Sequence, residues 1–379
     1  MYEDELHDLM LAVEVPVSKA DVHKAIVKGR RQARVRAALV SGATGVVVVA
    51  VVGAFVALRP QPETSEPQQG PPSHAAPVKG CVGTALALPK GTTEATVKAI
   101  DPTGEIVAGY IGTESPKPVV WKGEGAPELL PGVAGVAVAV ATDGTVVGYD
   151  ANQADESVGW VYRNGRATNL AKVNGYKWTN PNAINASGVI AGWVHGEALD
   201  DTAPVVWAAD GTVHKLTVPQ GVGHQDVHAA TARDVADDGT VVGAVRDVPM
   251  LWKPDGTPQA LPLPSGVDNG MAMAVAGSYA YGNTSDGPVR WDLRTGQVVK
   301  LPPNGDFGAW DGSANGFALL PGDRDKSALR VGLDGQTDSF TAPNNEKALP
   351  FAISADGATV AGVGAVGEDT AHPVVWHCN

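Results

Sequence analysis

The chain is short of cysteine, of charge and above all of basic residues. Its 379 residues include two cysteines, which form either one bridge or two unrelated thiols, and the compartment decides which. Charged residues make up 18% of the chain, with 28 Lys and Arg against 41 Asp and Glu and a net charge of −13. A phosphate binder needs a basic face, so nucleic acid is excluded as a partner. There is no Gly-x-Ser-x-Gly elbow, no metal-binding helix motif and no sequence calling for a cofactor. No catalytic residue and no dedicated metal site is therefore assigned.

What is abundant is glycine and proline, 46 and 28 residues. That composition favours many short strands joined by tight turns over long helices. A chain of this length also exceeds one ordinary core unless it repeats.

One long stretch is free of charge. Residues 37–58, AALVSGATGVVVVAVVGAFVAL, are long enough as a helix to span the ~30 Å hydrocarbon core of a bilayer. A cleavable signal peptide would have a shorter apolar region and a small-x-small site after it, whereas FVALRPQPE is a poor site. A retained signal anchor is expected, forming a single transmembrane helix. Lys28, Arg30, Arg31, Arg34 and Arg36 precede it and Arg59 stands alone after it. The positive-inside rule then places 1–36 in the cytoplasm and the C-terminal domain outside. Within 1–36, Ser18 and Asp21 can open a short helix, so 18–34 is a membrane-proximal helix or a docking segment for a cytoplasmic partner. Residues 59–79 are Pro-rich and polar and form a linker.

From residue 80 onward the chain repeats. AIDPTGEIVAGY, AVATDGTVVGYD, AINASGVIAGWV, DVADDGTVVGAV, AVAGSYAYGNTS and AISADGATVAGV share one template. Each is followed by a PVVW-like piece, and most copies then reach a Leu. The tryptophans at 121, 160, 207, 252, 291 and 376 lie 39 to 47 residues apart, with one double gap of 85. A degenerate copy with Val331 at the Trp position fills that gap. Each copy of roughly 42 residues reads as four short strands, the pattern of a β-propeller. The expected fold is all-β, a seven-bladed β-propeller over 80–379.

The ends of the repeat region complement each other. The last copy stops at Trp376-His377-Cys378-Asn379 without its fourth strand, and the region opens with GCVGTALALP, an orphan fourth strand. Cys81 and Cys378 both fall where an unbroken hairpin turn would sit. The first strand should complete the last blade, with a Cys81–Cys378 disulfide in place of the missing turn. An exported domain permits that bridge.

The template, clearest at AINASGVIAGWV (183–194) and APVVWAADG (203–211), resembles the HAF-type extracellular repeats of bacterial surface and secreted proteins. The similarity extends over 80–379, with the sixth copy departing from it. It implies an extracellular repeat protein and assigns no activity. The inner segment, single span and Pro-rich linker ahead of a propeller also resemble an actinobacterial membrane-anchored layout.

Few residues stand out from the repeat. The recurring Trp are expected to pack between blades, and the recurring Gly at 109, 148, 192, 243, 282 and 362 to mark close backbone approach. In VGHQDVHAATARDVADDG (222–239), His224, Asp226 and His228 alternate, so on a strand they would share a face and make a possible metal set. The ordinary alternative is a solvated loop between blades. Trp178 and Trp310 lie off the main Trp register in similar entry loops, as candidate exposed aromatics for a glycan or peptide. Paired carboxylates in the channel would instead suggest a glycosidase, but SADGATV at 354–360 lacks the Trp of a sialidase box. The expected function is a non-catalytic binding or scaffold module at the cell membrane, its partner an envelope protein or glycan. An extracytoplasmic hydrolase or lyase and a transmembrane sensor are the alternatives.

Overall fold

The alternation of small apolar residues with turn dipeptides builds strands throughout. The computed structural model describes residues 80–379 apart from 124, 151–155, 199–200, 224–228, 305–307, 323–326, 367–369 and 379. The expected cytoplasmic segment, membrane span and linker (1–36, 37–58 and 59–79) lie outside the described residues. Among the described residues there is no α-helix, and so none long and apolar enough to cross a membrane.

Strand β1 (Gly80–Ala85) pairs far from its neighbours in sequence. A four-stranded sheet follows, made of β2 (Thr96–Ile100), β3 (Ile106–Ile111), β4 (Lys117–Lys122) and β5 (Glu128–Leu129). The second comprises β6 (Val136–Val140), β7 (Val146–Asp150), β8 (Val158–Arg163) and β9 (Arg166–Asn169). The third has β10 (Trp178–Ile184), β11 (Ile190–His195), β12 (Thr202–Trp207) and β13 (Val213–Lys215). The fourth has β14 (Ala230–Val235), β15 (Val241–Val245), β16 (Val248–Trp252) and β17 (Pro258–Ala260). The fifth has β18 (Gly270–Ala276), β19 (Tyr279–Thr284), β20 (Gly287–Asp292) and β21 (Gln297–Lys300). Each is an antiparallel meander in chain order.

The remaining strands form one eight-stranded sheet. They are β22 (Asp311–Gly312), β23 (Ala318–Leu320), β24 (Leu329–Val331), β25 (Thr337–Thr341), β26 (Lys347–Ile353), β27 (Thr359–Val366) and β28 (Thr370–Cys378). Their order is β22-β23-β24-β25-β1-β28-β27-β26. As expected, β1 completes the last three strands, and Cys81 lies directly opposite Cys378 in the antiparallel pairing. The two form a disulfide with their Cα atoms 4.1 Å apart. The sequence did not foretell that β1 also pairs in parallel with β25, Cys81 opposite Phe340.

The first strands of successive groups pack in cyclic order: β2, β6, β10, β14, β18, β22, β26, and back to β2. Core clusters straddle adjacent groups. Ala141 and Val147 of the second sheet meet Ile190, Val194 and Trp207 of the third, and Ala352, Ala361 and Val375 close against the first sheet.

The repeated tryptophans do the packing expected of them. Trp121, Trp160, Trp207, Trp252, Trp291 and Trp376 are all buried. Their indole N–H groups donate to backbone carbonyls in the segment leading out of the preceding group: Ala87, Ala134, Ala171, Thr217, Pro262 and Thr341, at 2.7–3.1 Å. Each Trp thus satisfies its one polar atom on the neighbour that it packs against. In the degenerate copy the buried Val331 makes no such bond. There Arg330 pairs with Asp338, lies 4.4 Å from the Phe317 ring and donates to Gly357 O of the next group at 2.6 Å.

Candidate functional site

In β2, β6, β10, β14, β18 and β26 the pairing with the second strand slips by one residue. The slips fall between Val97 and Ala99, Ala137 and Ala139, Pro181 and Ala183, Ala232 and Asp234, Ala272 and Ala274, and Pro350 and Ala352. A bulge leaves its extra residue unpaired and re-aims that side chain. Opposite each bulge stands one of the recurring glycines. A Cβ at Gly109, Gly148, Gly192, Gly243, Gly282 or Gly362 would come within 1.9–2.2 Å of a carbonyl oxygen on the first strand. These glycines therefore permit the close approach that the bulge demands, as expected.

The extra residues are Lys98, Val138, Asn182, Arg233, Met273 and Phe351. Trp310, directly before β22, holds the corresponding place and donates its backbone N–H to Leu319 O at 3.1 Å. All seven line one cavity of about 550 Å³ on the axis around which the first strands are arranged. Residues just after those strands, Pro102, Asn185, Asp237, Gly277, Ala314 and Ala355, rim the cavity at one end. The volume lies within the range of small-ligand pockets, roughly 300–1,000 Å³.

The lining divides by chemistry. Trp310 and Phe351 stack with centroids 5.9 Å apart and planes 15° from parallel, and Lys98 Nζ lies 5.4 Å from the Phe351 centroid. Half-buried in the cavity lining, Lys98 is partly desolvated, which lowers its ammonium to a pKa of about 8.

The lining also holds two carboxyls, Asp234 and Asp311, where other copies have Ala99, Ala139, Ala183, Ala274 and Ala352. Asp234 Oδ1 accepts from Val235 N at 2.8 Å, and its Oδ2 accepts from Val275 N of the next group at 2.7 Å. Asp311 does the same with Gly312 N at 2.8 Å and Ile353 N at 2.9 Å. Burial raises Asp234 to about 6 against those N–H donors. Burial, with Asp234's like charge second, raises Asp311 to about 7. Near neutral pH the pair retains proton-donating capacity.

Trp310 lines this cavity rather than lying in an entry loop, and it adjoins Asp311. Trp178 does not line it. As the first residue of β10 it lies at the end of that strand remote from the rim, stacked on His195 at 4.3 Å and 3°, with Trp193 on the same imidazole at 5.2 Å. Burial lowers the His195 pKa. His224, Asp226 and His228 lie outside the described residues. Among the described residues no group of three or more His, Cys, Asp and Glu is placed to hold a metal ion.

Sequence reasoning passed over Lys98, Arg233, Asp234 and Phe351. A signal was present: with the repeats aligned, VKA, AVA, PNA, ARD, AMA, AWD and PFA share small outer positions and vary at the centre. It becomes visible only when a bulge is placed there.

No family model matches the chain, and no curated protein matches it. Among solved structures, the chain is similar to puromycin hydrolase at 17% identity and a TM-score of 0.52, over 79% of this chain and 55% of that one. It is similar to TolB from Acinetobacter baumannii at 10% identity and a TM-score of 0.42, over 73% of this chain and 65% of that one. The chain thus spans little more than half the length of the first and about two thirds of the second. The likeness to the first shows the fold alone: all-β and propeller-like.

Proposed function

We propose that the protein is a single-pass, membrane-anchored surface protein whose ectodomain is a seven-bladed β-propeller, and that this propeller binds an envelope protein or glycan without transforming it. The observation that carries the reading is the ring of bulges. One backbone irregularity, repeated around the axis, delivers a different side chain from each sheet into one cavity while the flanking residues stay small. A rigid frame with variation confined to the lining suits a binding site.

The blade count treats the eight-stranded sheet as two blades, divided where β25 meets β1 in parallel. The Cys81–Cys378 bridge supports an oxidising compartment, in keeping with the extracellular orientation expected from the basic flank. The HAF-type resemblance supports the same placement.

One observation favours a second reading, an extracytoplasmic hydrolase or lyase acting in the same cavity: Asp234 and Asp311 have raised pKa values and both line it. Against it, both oxygens of each carboxyl already accept a backbone N–H, two of these bonds joining adjacent groups. That makes them ties between blades first.

The test is retention of the full-length protein on isolated cell walls and on solubilised envelope proteins, with mass spectrometry of what is held and what is released. Retention without fragments is the expected result. Release of sugar or peptide fragments that disappears in Asp311→Asn would overturn the binding reading in favour of the hydrolase.

A further inference from the structure

Inside the rim, which carries Asp237 and Asp238, the charged lining of the channel cavity is balanced. Lys98 and Arg233 contribute positive charge, and Asp234 and Asp311 carboxyl groups. A strongly anionic ligand would meet the two carboxyls, and a strongly cationic one would meet the lysine and the arginine. Either would also have to leave water for a partly desolvated wall, at a cost only a complete set of opposite partners offsets. A neutral, hydroxyl-rich ligand avoids that conflict. Its O–H groups donate to carboxyl oxygens, and its oxygens accept charge-assisted bonds from Lys98 and Arg233.

The apolar side of the cavity points the same way. Trp310 and Phe351 are stacked within 15° of parallel, 5.9 Å apart, and both line the cavity, giving it an aromatic pair. The electron-rich face of an aromatic ring attracts the electropositive C–H face of a pyranose. An extended peptide is a poorer fit. It would bind by adding a strand to the first strands of the blades, and the bulge in each of those strands breaks the row of backbone groups such pairing requires.

We infer that the stacked Trp310–Phe351 pair, with Asp311 and Arg233 in the same cavity, is a subsite for a neutral glycan whose sugar ring stacks on Trp310. This rests on the binding reading above and names its ligand class.

The experiment is isothermal titration of the full-length protein in detergent micelles with four probes. Two are neutral, N-acetylglucosamine tetramer and maltotetraose; tetragalacturonate is acidic, and the fourth is a lysine-rich octapeptide. At least one neutral tetrasaccharide should bind more tightly than the acidic glycan and the peptide. Trp310→Ala should weaken that binding roughly tenfold, the upper end of what one aromatic contact contributes. Trp310→Phe keeps a stacking face and should stay within about threefold of the parent. Phe351→Leu, which keeps bulk and removes the second ring, should weaken binding in the same direction and is scored if Trp310→Ala loses its melting transition. Preference for tetragalacturonate or the peptide, failure of both neutral glycans, or folded Trp310→Ala and Phe351→Leu proteins that bind like the parent would each overturn the assignment. Retention on envelope protein without glycan affinity would overturn this inference and leave the binding reading standing; loss of both would remove both.

Discussion

Replacing Cys81 and Cys378 with alanine removes a covalent tie between residues 297 apart in sequence. In the loop-entropy model a bridge over a loop of that length lowers the entropy of the unfolded chain by about 19 cal/mol/K, or on the order of 5–6 kcal/mol at 25 °C. Domains commonly have roughly 5–15 kcal/mol of stability in all, so this is a large share. The native state changes less. Both cysteines are buried and directly opposed, so the alanines leave a small void beside a backbone pairing that persists. The assay is urea unfolding of the full-length protein followed by tryptophan fluorescence, for the parent with and without reductant and for the double variant. With a slope of about 3 kcal/mol/M, the midpoint should fall by about 2 M in the reduced parent and in the variant alike. Reductant should not affect the variant. Beyond the midpoint, β1 is then held only by its pairings with β25 and β28, and fraying would uncover two strand edges and promote association. Midpoints within about 0.3 M of the oxidised parent would refute the loop-entropy contribution assigned to the bridge.

Two further outcomes test the site's frame. Gly243→Ala places a Cβ 2.0 Å from Thr231 O, a backbone atom held in the bulge. It should cost about 1–3 kcal/mol or more, and an unchanged melting temperature would refute the close-approach reading. For Asp311, the folded pKa is raised to about 7, so the folded state holds a proton that the unfolded state has released above about pH 4. Its stabilising share is complete below that value and is lost as pH rises through about 7, by up to about 1.4 kcal/mol per pH unit. His195, whose pKa is lowered, works in the opposite direction below about 6.5, and Lys98 does so only above about 8. The comparison is therefore parent minus Asp311→Asn: in urea titrations from pH 5 to 8 the parent should lose stability relative to the variant. A difference that is flat or grows with pH would sink the assignment.

Much of the architecture was legible because it is written locally and repeatedly. Turn dipeptides, alternating runs and the spaced Trp-to-Leu segments mark four strands wherever they recur, and period-two patterning has few alternative solutions. The buried roles of Trp207 and Gly192 followed from their recurrence at one register, since a residue needed in every copy serves the frame. The Cys81–Cys378 pairing followed from register, because both cysteines fall where a hairpin turn would join the last copy to the spare strand.

The candidate site was not legible in the same way. Lys98, Arg233, Asp234, Trp310 and Phe351 are far apart in sequence and share no motif. They meet because a one-residue slip turns one side chain from each first strand toward a common axis. The sequence by itself determined the strands, the turns, the Trp packing and the closure by Cys81 and Cys378, all governed by local propensity and periodic burial. Tertiary structure alone decided which side chains share a cavity, that burial raises the pKa of two carboxyls, and that β1 also bridges to β25. Those properties depend on distance and desolvation between groups that the chain brings together only when the ring closes.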